Sequence, residues 1–240
     1  MKRVDGIRAV TYDCWGTLLK DRDWEGAMEN RAGALGRLMG LEHDDARALL
    51  ADAWARHDDA WKQVETFGPG RMAAYCLQRR GVTDDDTLRQ LTQEFEEASL
   101  TYGVDPVEGA EDTLNALRDA DVRVGLVCDT GFTPGRVVRE LLEGAGLISY
   151  LEILCFSDEV GVPKPGNEIF AKALAELGAR PPEAVHVGDL RRTDVAGARD
   201  IGMRAVRFRG VHDDRSDAPD AELVIDRHGA LLEALGLVER

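Results

Sequence analysis

Val10-Thr-Tyr-Asp-Cys-Trp-Gly-Thr-Leu-Leu19 is the stretch on which the reading of this chain turns. Ile7 to Tyr12 is a short apolar, β-rich run with the signature of a buried strand. It ends in Asp13, and Gly16 then lets the backbone turn sharply without a steric penalty. A carboxylate at the carboxyl end of a central strand, beside a tight turn, stands where open α/β sheets bind ligands. Taken alone, the same stretch fits an Asp that merely caps a loop.

Three later stretches decide between these readings. Val122-Arg-Val-Gly-Leu-Val-Cys128 is a second apolar run, leading into Asp129-Thr130-Gly131. Val162-Pro-Lys-Pro165 holds Lys164 between two prolines, which stiffens the local backbone. Ala184-Val-His-Val-Gly-Asp189 is a third strand-like run ending in an acid, and Asp194 follows five residues later. An Asp, a polar turn, a held Lys and an acidic pair, in that order, resemble the four motifs of the haloacid dehalogenase superfamily of hydrolases. The resemblance runs from Asp13 to Asp194, nearly the whole chain. It extends to the context in Gly161-Val-Pro-Lys-Pro-Gly-Asn-Glu-Ile-Phe170 and Val187-Gly-Asp-x4-Asp-Val-Ala-Gly-Ala198.

The resemblance implies a role for each of these residues. Asp13 would be the nucleophile, splitting a hard displacement into formation and hydrolysis of an aspartyl ester. Lys164 would offset the charge of Asp13 and of an incoming anion, because clustered carboxylates otherwise raise one another's pKa. Asp13, the backbone carbonyl of Trp15, and Asp189 would hold Mg²⁺, with Asp194 binding directly or through water; a hard cation suits such oxygen donors. Asp194 also fits an N-cap of the helix after it, and Thr17 would orient the first turn. Cys128 stands where the family offers Ser or Thr to a phosphoryl group. Cys is a weak donor, so Thr130 or backbone N–H groups would replace it. Asp129, Gly131, Trp15 and Trp24 complete the expected substrate contacts.

Trp15 departs from the pattern in a way that matters. Phosphatases of the superfamily usually carry a second Asp there, which protonates the leaving oxygen and later activates water. An indole N–H donates a hydrogen bond but exchanges no proton near neutral pH. The superfamily's 2-haloacid dehalogenases carry an aromatic residue at this position, since a halide leaves without a proton, but they lack a metal and the Gly-Asp-x4-Asp motif. The sequence therefore favours Mg²⁺-dependent hydrolysis of a small phosphorylated metabolite with a good leaving group, such as an acyl phosphate or phosphoanhydride. Dehalogenase-like hydrolysis at carbon and a catalytically decayed binding protein of the same fold are the alternatives.

Outward from the motifs, the pattern changes character twice. Residues from about 23 to 102 are helical in period, with helices expected to stop at Gly40, at Phe67-Gly-Pro-Gly70 and at Gly81, and a fourth capped by Thr83. From Gly103 onward strands alternate with helices, which implies a parallel sheet covered on both faces. The expected architecture is α/β: a Rossmann-like parallel-sheet core, residues 1–18 and 104–240, with an inserted helical-bundle cap domain, residues 19–103. The insertion resembles a C1-type cap, which in relatives closes over the site and supplies specificity. Trp24, Trp54, His57, Trp61, Lys62 and Tyr75 are candidates to line that closure, although packing inside the bundle is the commoner fate of such aromatics.

Bulk properties set outer bounds. The 240 residues suffice for one domain with a substantial insertion. A formal net charge of −15 argues against nucleic acid or an anionic membrane as partner and leaves room for a small anionic substrate at a locally basic site. Cys14, Cys76, Cys128 and Cys155 lack metal-type spacing and read as buried free thiols. With no signal-like N-terminus and no membrane-length apolar run, a reducing cytoplasm and a monomer or homodimer are expected.

Overall fold

The structure, a computed structural model, describes residues 6–238; residues 1–5 and 239–240, the two ends of the expected core, lie outside the described residues. The backbone separates into two compact units, Met1–Lys20 with Asp105–Asp129 and Leu142–Arg240, and Asp21–Val104 with Thr130–Leu141.

In the first unit, strands β1 (Ala9–Tyr12), β4 (Arg123–Cys128), β5 (Ile153–Phe156), β6 (Ala184–Gly188), β7 (Arg204–Phe208) and β8 (Leu223–Ile225) form one sheet. Their order is β5-β4-β1-β6-β7-β8, and every neighbouring pair is parallel. Every residue of β1 and of β6 is buried, as expected where both faces of a parallel sheet are covered. The chain runs outward from β1 in both directions, so the order reverses at β1. Ligands bind outside the carboxyl ends of strands at such a switch point. Asp13, Asp129 and Asp189 each follow the last residue of one of these strands, β1, β4 and β6. Strand pairing thus gathers the acids; the sequence places Asp129 and Asp189 116 and 176 residues after Asp13.

Helices α5 (Ala110–Asp119), α7 (Ser157–Val160), α8 (Asn167–Glu176), α9 (Ala196–Asp200) and α10 (Gly229–Leu235) belong to the same unit. Ile169, Phe170, Ala173 and Leu174 of α8 pack with Ala9, Val127 and Ala184 of the strands. One expected element differs. The helix expected to begin at Asp194 opens instead with a π-helical turn, Arg191–Val195, ahead of α9. Asp194 therefore lies inside the turn and is not its N-cap, yet its Oδ2 still accepts the N–H of Leu190, the residue preceding the turn, at 2.9 Å.

The second unit contains α1 (Trp24–Met39), α2 (His43–Lys62), α3 (Pro69–Arg79) and α4 (Asp85–Tyr102). Helix α1 ends on left-handed Gly40, and α3 opens with Pro69 in its first turn, where a missing N–H costs nothing. Asp84, not Thr83, caps α4: its Oδ2 accepts the N–H of Thr87 at 2.7 Å. Leu35, Leu50, Met72, Leu91 and Phe95 form the bundle core, joined by Phe132 from the segment after β4. Thr130–Leu141, which contains most of α6 (Gly135–Gly144), packs with the helices. Strands β2 (Leu19–Asp21) and β3 (Val104–Pro106) pair where the chain leaves and re-enters the sheet-bearing part. At three residues each they are too short to show a period in the sequence.

Arg31 is completely buried in this bundle. Its Nε donates to the Phe95 carbonyl at 2.9 Å, one terminal nitrogen donates to Ser99 Oγ at 3.2 Å, and the guanidinium lies 4.5 Å from the Phe132 ring centroid. Burial lowers its pKa to about 10 against the opposing charge of Asp21. Arg31→Met keeps the bulk but removes the donors to the Phe95 carbonyl and Ser99 Oγ and leaves the Asp21 charge without Arg31 opposite it. We expect it to cost about 1–3 kcal/mol, read as a lower urea midpoint with an unchanged slope.

Candidate active site

The motif I turn is held by its own backbone. Asp13 N–H donates to the Val187 carbonyl at 2.8 Å, which ties β1 to β6, and the Cys14 carbonyl accepts the N–H groups of Leu18 and Leu19 at 2.8 and 2.9 Å. Gly16 sits at φ 74°, and a Cβ there would stand 2.9 Å from Asp189 Oδ2. The turn therefore requires glycine twice over, for its backbone angle and for its closeness to the acid.

Lys164 is the centre of the cluster. Its side chain is buried, and Nζ donates to Asp13 Oδ1 at 2.5 Å and to Asp194 Oδ1 at 2.7 Å. Its own backbone N–H donates to Asp129 Oδ1 at 2.8 Å, so the motif II acid fixes the loop that carries the lysine. Asp194 is saturated. Oδ1 faces Lys164 and His186 Nε2, the latter at 3.1 Å, while Oδ2 accepts from Leu190 N–H and, at 3.5 Å, from the Thr193 hydroxyl. A Cβ on Gly188 would fall 2.3 Å from Asp194 Cγ, which shows how closely the backbone of β6 passes the carboxylate.

Charge in the cluster is unbalanced. Asp13, Asp189 and Asp194 are all buried, and one oxygen from each lies within 4.8 Å of the others. Burial pushes Asp13 up to about 7, with Asp194 adding to the rise and Lys164 opposing it. Burial pushes Asp189 up to about 9, helped by the charges of Asp13 and Asp194. Asp194 moves the other way: Lys164 and the hydrogen bond from His186 outweigh its burial and hold it below the usual carboxylate range. Lys164 stays charged, because the three acids around it outweigh the cost of its own burial. Two acids forced toward protonation beside a set of oxygen donors are what a hard cation would relieve, so the residues present fit a divalent metal.

The remaining expected site residues divide between the two units. Trp15 is half-buried in the motif I turn, bridged to Leu19. Thr17 is buried, and its carbonyl accepts from His228 Nε2 at 2.9 Å. Cys128 is buried, and desolvation together with neighbouring Cys14 raises its thiol well above the ordinary range, which favours the protonated form. Thr130, Gly131 and Trp24 belong to the helical unit. There Trp24 meets Trp54 edge-on at 5.7 Å, and Trp54 stacks on His57 at 4.7 Å and on Phe132 at 5.0 Å. A Cβ on Gly131 would lie 3.0 Å from the Trp54 ring. Sequence reasoning passed over His186, although a histidine inside an otherwise apolar strand run was the signal that could have found it.

A profile of the haloacid dehalogenase-like hydrolases matches residues 7–202. The chain belongs to this family. Among individual proteins, it is 42% identical over 258 residues to a phosphoserine phosphatase of Thermus thermophilus, covering 95% of this chain and all of that one. It is 37% identical over 242 residues to a glyceraldehyde 3-phosphate phosphatase of Methanopyrus kandleri, covering 95% and 97% of the two chains. The crystal structure of a phosphatase of the same superfamily from Thermococcus onnurineus shares the fold with a TM-score of 0.71 at 24% identity, covering 96% and 98% of the two chains. No helix among the described residues is long and apolar enough to cross a membrane.

The electrostatics give a test with a defined sign. Asp13 and Asp189 have folded-state pKa values above their unfolded ones, so the stability they contribute is full below roughly pH 4. It is lost as pH rises through about 7 and about 9. In chelator, the melting temperature should therefore fall from roughly pH 6 to pH 9, and a divalent cation should remove much of that fall. Equal curves with and without the cation would exclude these acids as its site. Gly188→Ala, which has to displace Asp194, should reduce both stability and the stabilisation by cation.

Proposed function

We propose that the protein is a metal-assisted phosphohydrolase acting on a small phosphorylated metabolite whose leaving group departs without a proton donor. The observation that carries this reading is the buried Lys164 shared between Asp13 and Asp194, beside an Asp189 whose charge Lys164 offsets only in part. The names of the two relatives support phosphate chemistry. Asp13, the Trp15 carbonyl and Asp189 would hold Mg²⁺, with Asp194 reached through water because its own oxygens are taken. When bound, the ion would neutralise charge on the acids and on the phosphoryl oxygens.

The steps belong to the chain's own residues. Asp13 attacks phosphorus with one carboxylate oxygen, the bond from phosphorus to the leaving oxygen breaks, and the leaving group takes the electron pair. Water then hydrolyses the aspartyl phosphate and returns Asp13. Lys164 holds Asp13 in place and favours its ionised form. Thr130 and backbone N–H groups of the motif II turn bind the phosphoryl oxygens in place of Cys128, with Asp129 fixing the lysine loop. Trp15 shapes the site without exchanging protons. Residues 19–103 act as a C1-type cap that supplies specificity, with Trp24 among its substrate contacts. Four reduced, buried cysteines suit a reducing cytoplasm.

Asp13→Asn keeps the size but cannot attack, so turnover should vanish with the fold intact. Chelator should silence the enzyme and Mg²⁺ restore it; turnover of a 2-haloacid in chelator would instead support carbon-centred chemistry.

The rate should fall steeply as leaving-group pKa rises from acyl and aryl to alkyl phosphates. Trp15→Asp should recover part of the alkyl rate, where a positioned acid is worth ~10²–10⁴-fold, at some cost in stability from the lost indole. A flat dependence in the parent would show that another group already supplies the proton.

A further inference from the structure

Lys164 and Asp194 are themselves held by a buried relay that begins inside the sheet. Thr11 on β1 and His186 on β6 are register partners in a parallel pair, and Asp13 lies two residues beyond Thr11, on the same face. Thr11 Oγ1 is 2.9 Å from His186 Nδ1, and His186 Nε2 is 3.1 Å from Asp194 Oδ1. Both residues are fully buried, and the Phe170 ring stands edge-on to the imidazole at 5.0 Å. The chain of contacts is continuous: Thr11, His186, Asp194, Lys164, Asp13.

Chemistry fixes the proton at its centre. The Asp194 carboxylate can only accept, so His186 Nε2 carries the hydrogen and donates it. In the neutral imidazole Nδ1 is then the lone pair, and the Thr11 hydroxyl, 2.9 Å from it and 3.5 Å from the Val185 carbonyl, donates to the ring at the shorter distance. The accept-only carboxylate selects the tautomer, and the hydroxyl hydrogen-bonded at Nδ1 holds one orientation of the ring. The ring in turn occupies one side of Oδ1, leaving the other side to Lys164. Without that donor, Asp194 Oδ1 would face Lys164 alone and draw the ammonium away from Asp13.

We propose that His186, oriented by Thr11, is a positioning residue that divides Lys164 between Asp194 and the nucleophile Asp13. It touches neither substrate nor phosphorus, so its removal should act on the chemical step and leave substrate binding nearly unchanged. The inference rests on Asp13 being the nucleophile, but one of its tests does not depend on activity.

That test is ¹⁵N NMR of the imidazole nitrogens in the intact chain, with the His186 signals assigned by their absence in His186→Gln. His186 should show the neutral Nε2–H tautomer at neutral pH, and an Nδ1–H tautomer or an imidazolium would overturn the relay. In kinetics, His186→Ala should lower kcat about 10- to 100-fold, the range typical of outer-shell partners, with KM within about twofold. His186→Gln can return an N–H toward Asp194 and should recover part of the loss. Thr11→Val removes the hydroxyl at constant volume and should cost about 2- to 10-fold in kcat, the value of one hydrogen bond. Because Thr11→Val is so conservative, it also answers the question if His186→Ala does not fold. Wild-type kcat in either variant would refute the proposal. Should Asp13→Asn prove active, the assumed nucleophile is wrong, while the NMR result still decides whether the relay exists.

Discussion

A buried ammonium between two buried carboxylates is the constraint to which the rest of the sheet-bearing unit is fitted. Charges out of water are costly unless they are paired and hydrogen-bonded. Lys164 meets that condition through Asp13 and Asp194, and its loop is fixed by a backbone hydrogen bond to Asp129. Every neighbour of the ammonium thus comes from a different motif. Removing any one would leave a charge without its partner, so the cluster forms as a whole or at considerable cost.

That constraint explains several features that otherwise look unrelated. Gly188 has no side chain because Asp194 occupies the space one would need. The π-helical turn Arg191–Val195 places Asp194 so that its second oxygen can reach back to Leu190 N–H. His186 sits inside an apolar strand because Asp194 gives one ring nitrogen an acceptor and the Thr11 hydroxyl gives the other a hydrogen-bond partner. What stays unbalanced is Asp189, whose raised pKa marks the direction in which the cluster lacks positive charge.

The helical unit follows a different logic. Its helices are stabilised by an apolar core and by one deeply buried arginine, and the Trp54–His57–Phe132 stack joins the residues after motif II to it. Gly131 is free of a side chain for that stack, just as Gly16 is for Asp189. Two of the glycines closest to the motifs are therefore explained by what packs against them.

The sequence by itself determined the element types, the α/β class and the identity of the motif residues. Periodicity is local, and the acids at strand ends, the proline-flanked lysine and the Gly-Asp-x4-Asp spacing are readable without coordinates. Short elements such as β2 and β3 escaped because three residues carry no period. Thr83 and Asp84 are both good caps, and only backbone geometry chose Asp84. The tertiary structure alone decided which carboxylate is saturated and which is not. It also decided that Thr11 and His186 are partners and that Thr130–Leu141 packs with the helices. These depend on strand register and long-range packing, where residues 175 apart come within a hydrogen bond, and no local pattern records such a distance.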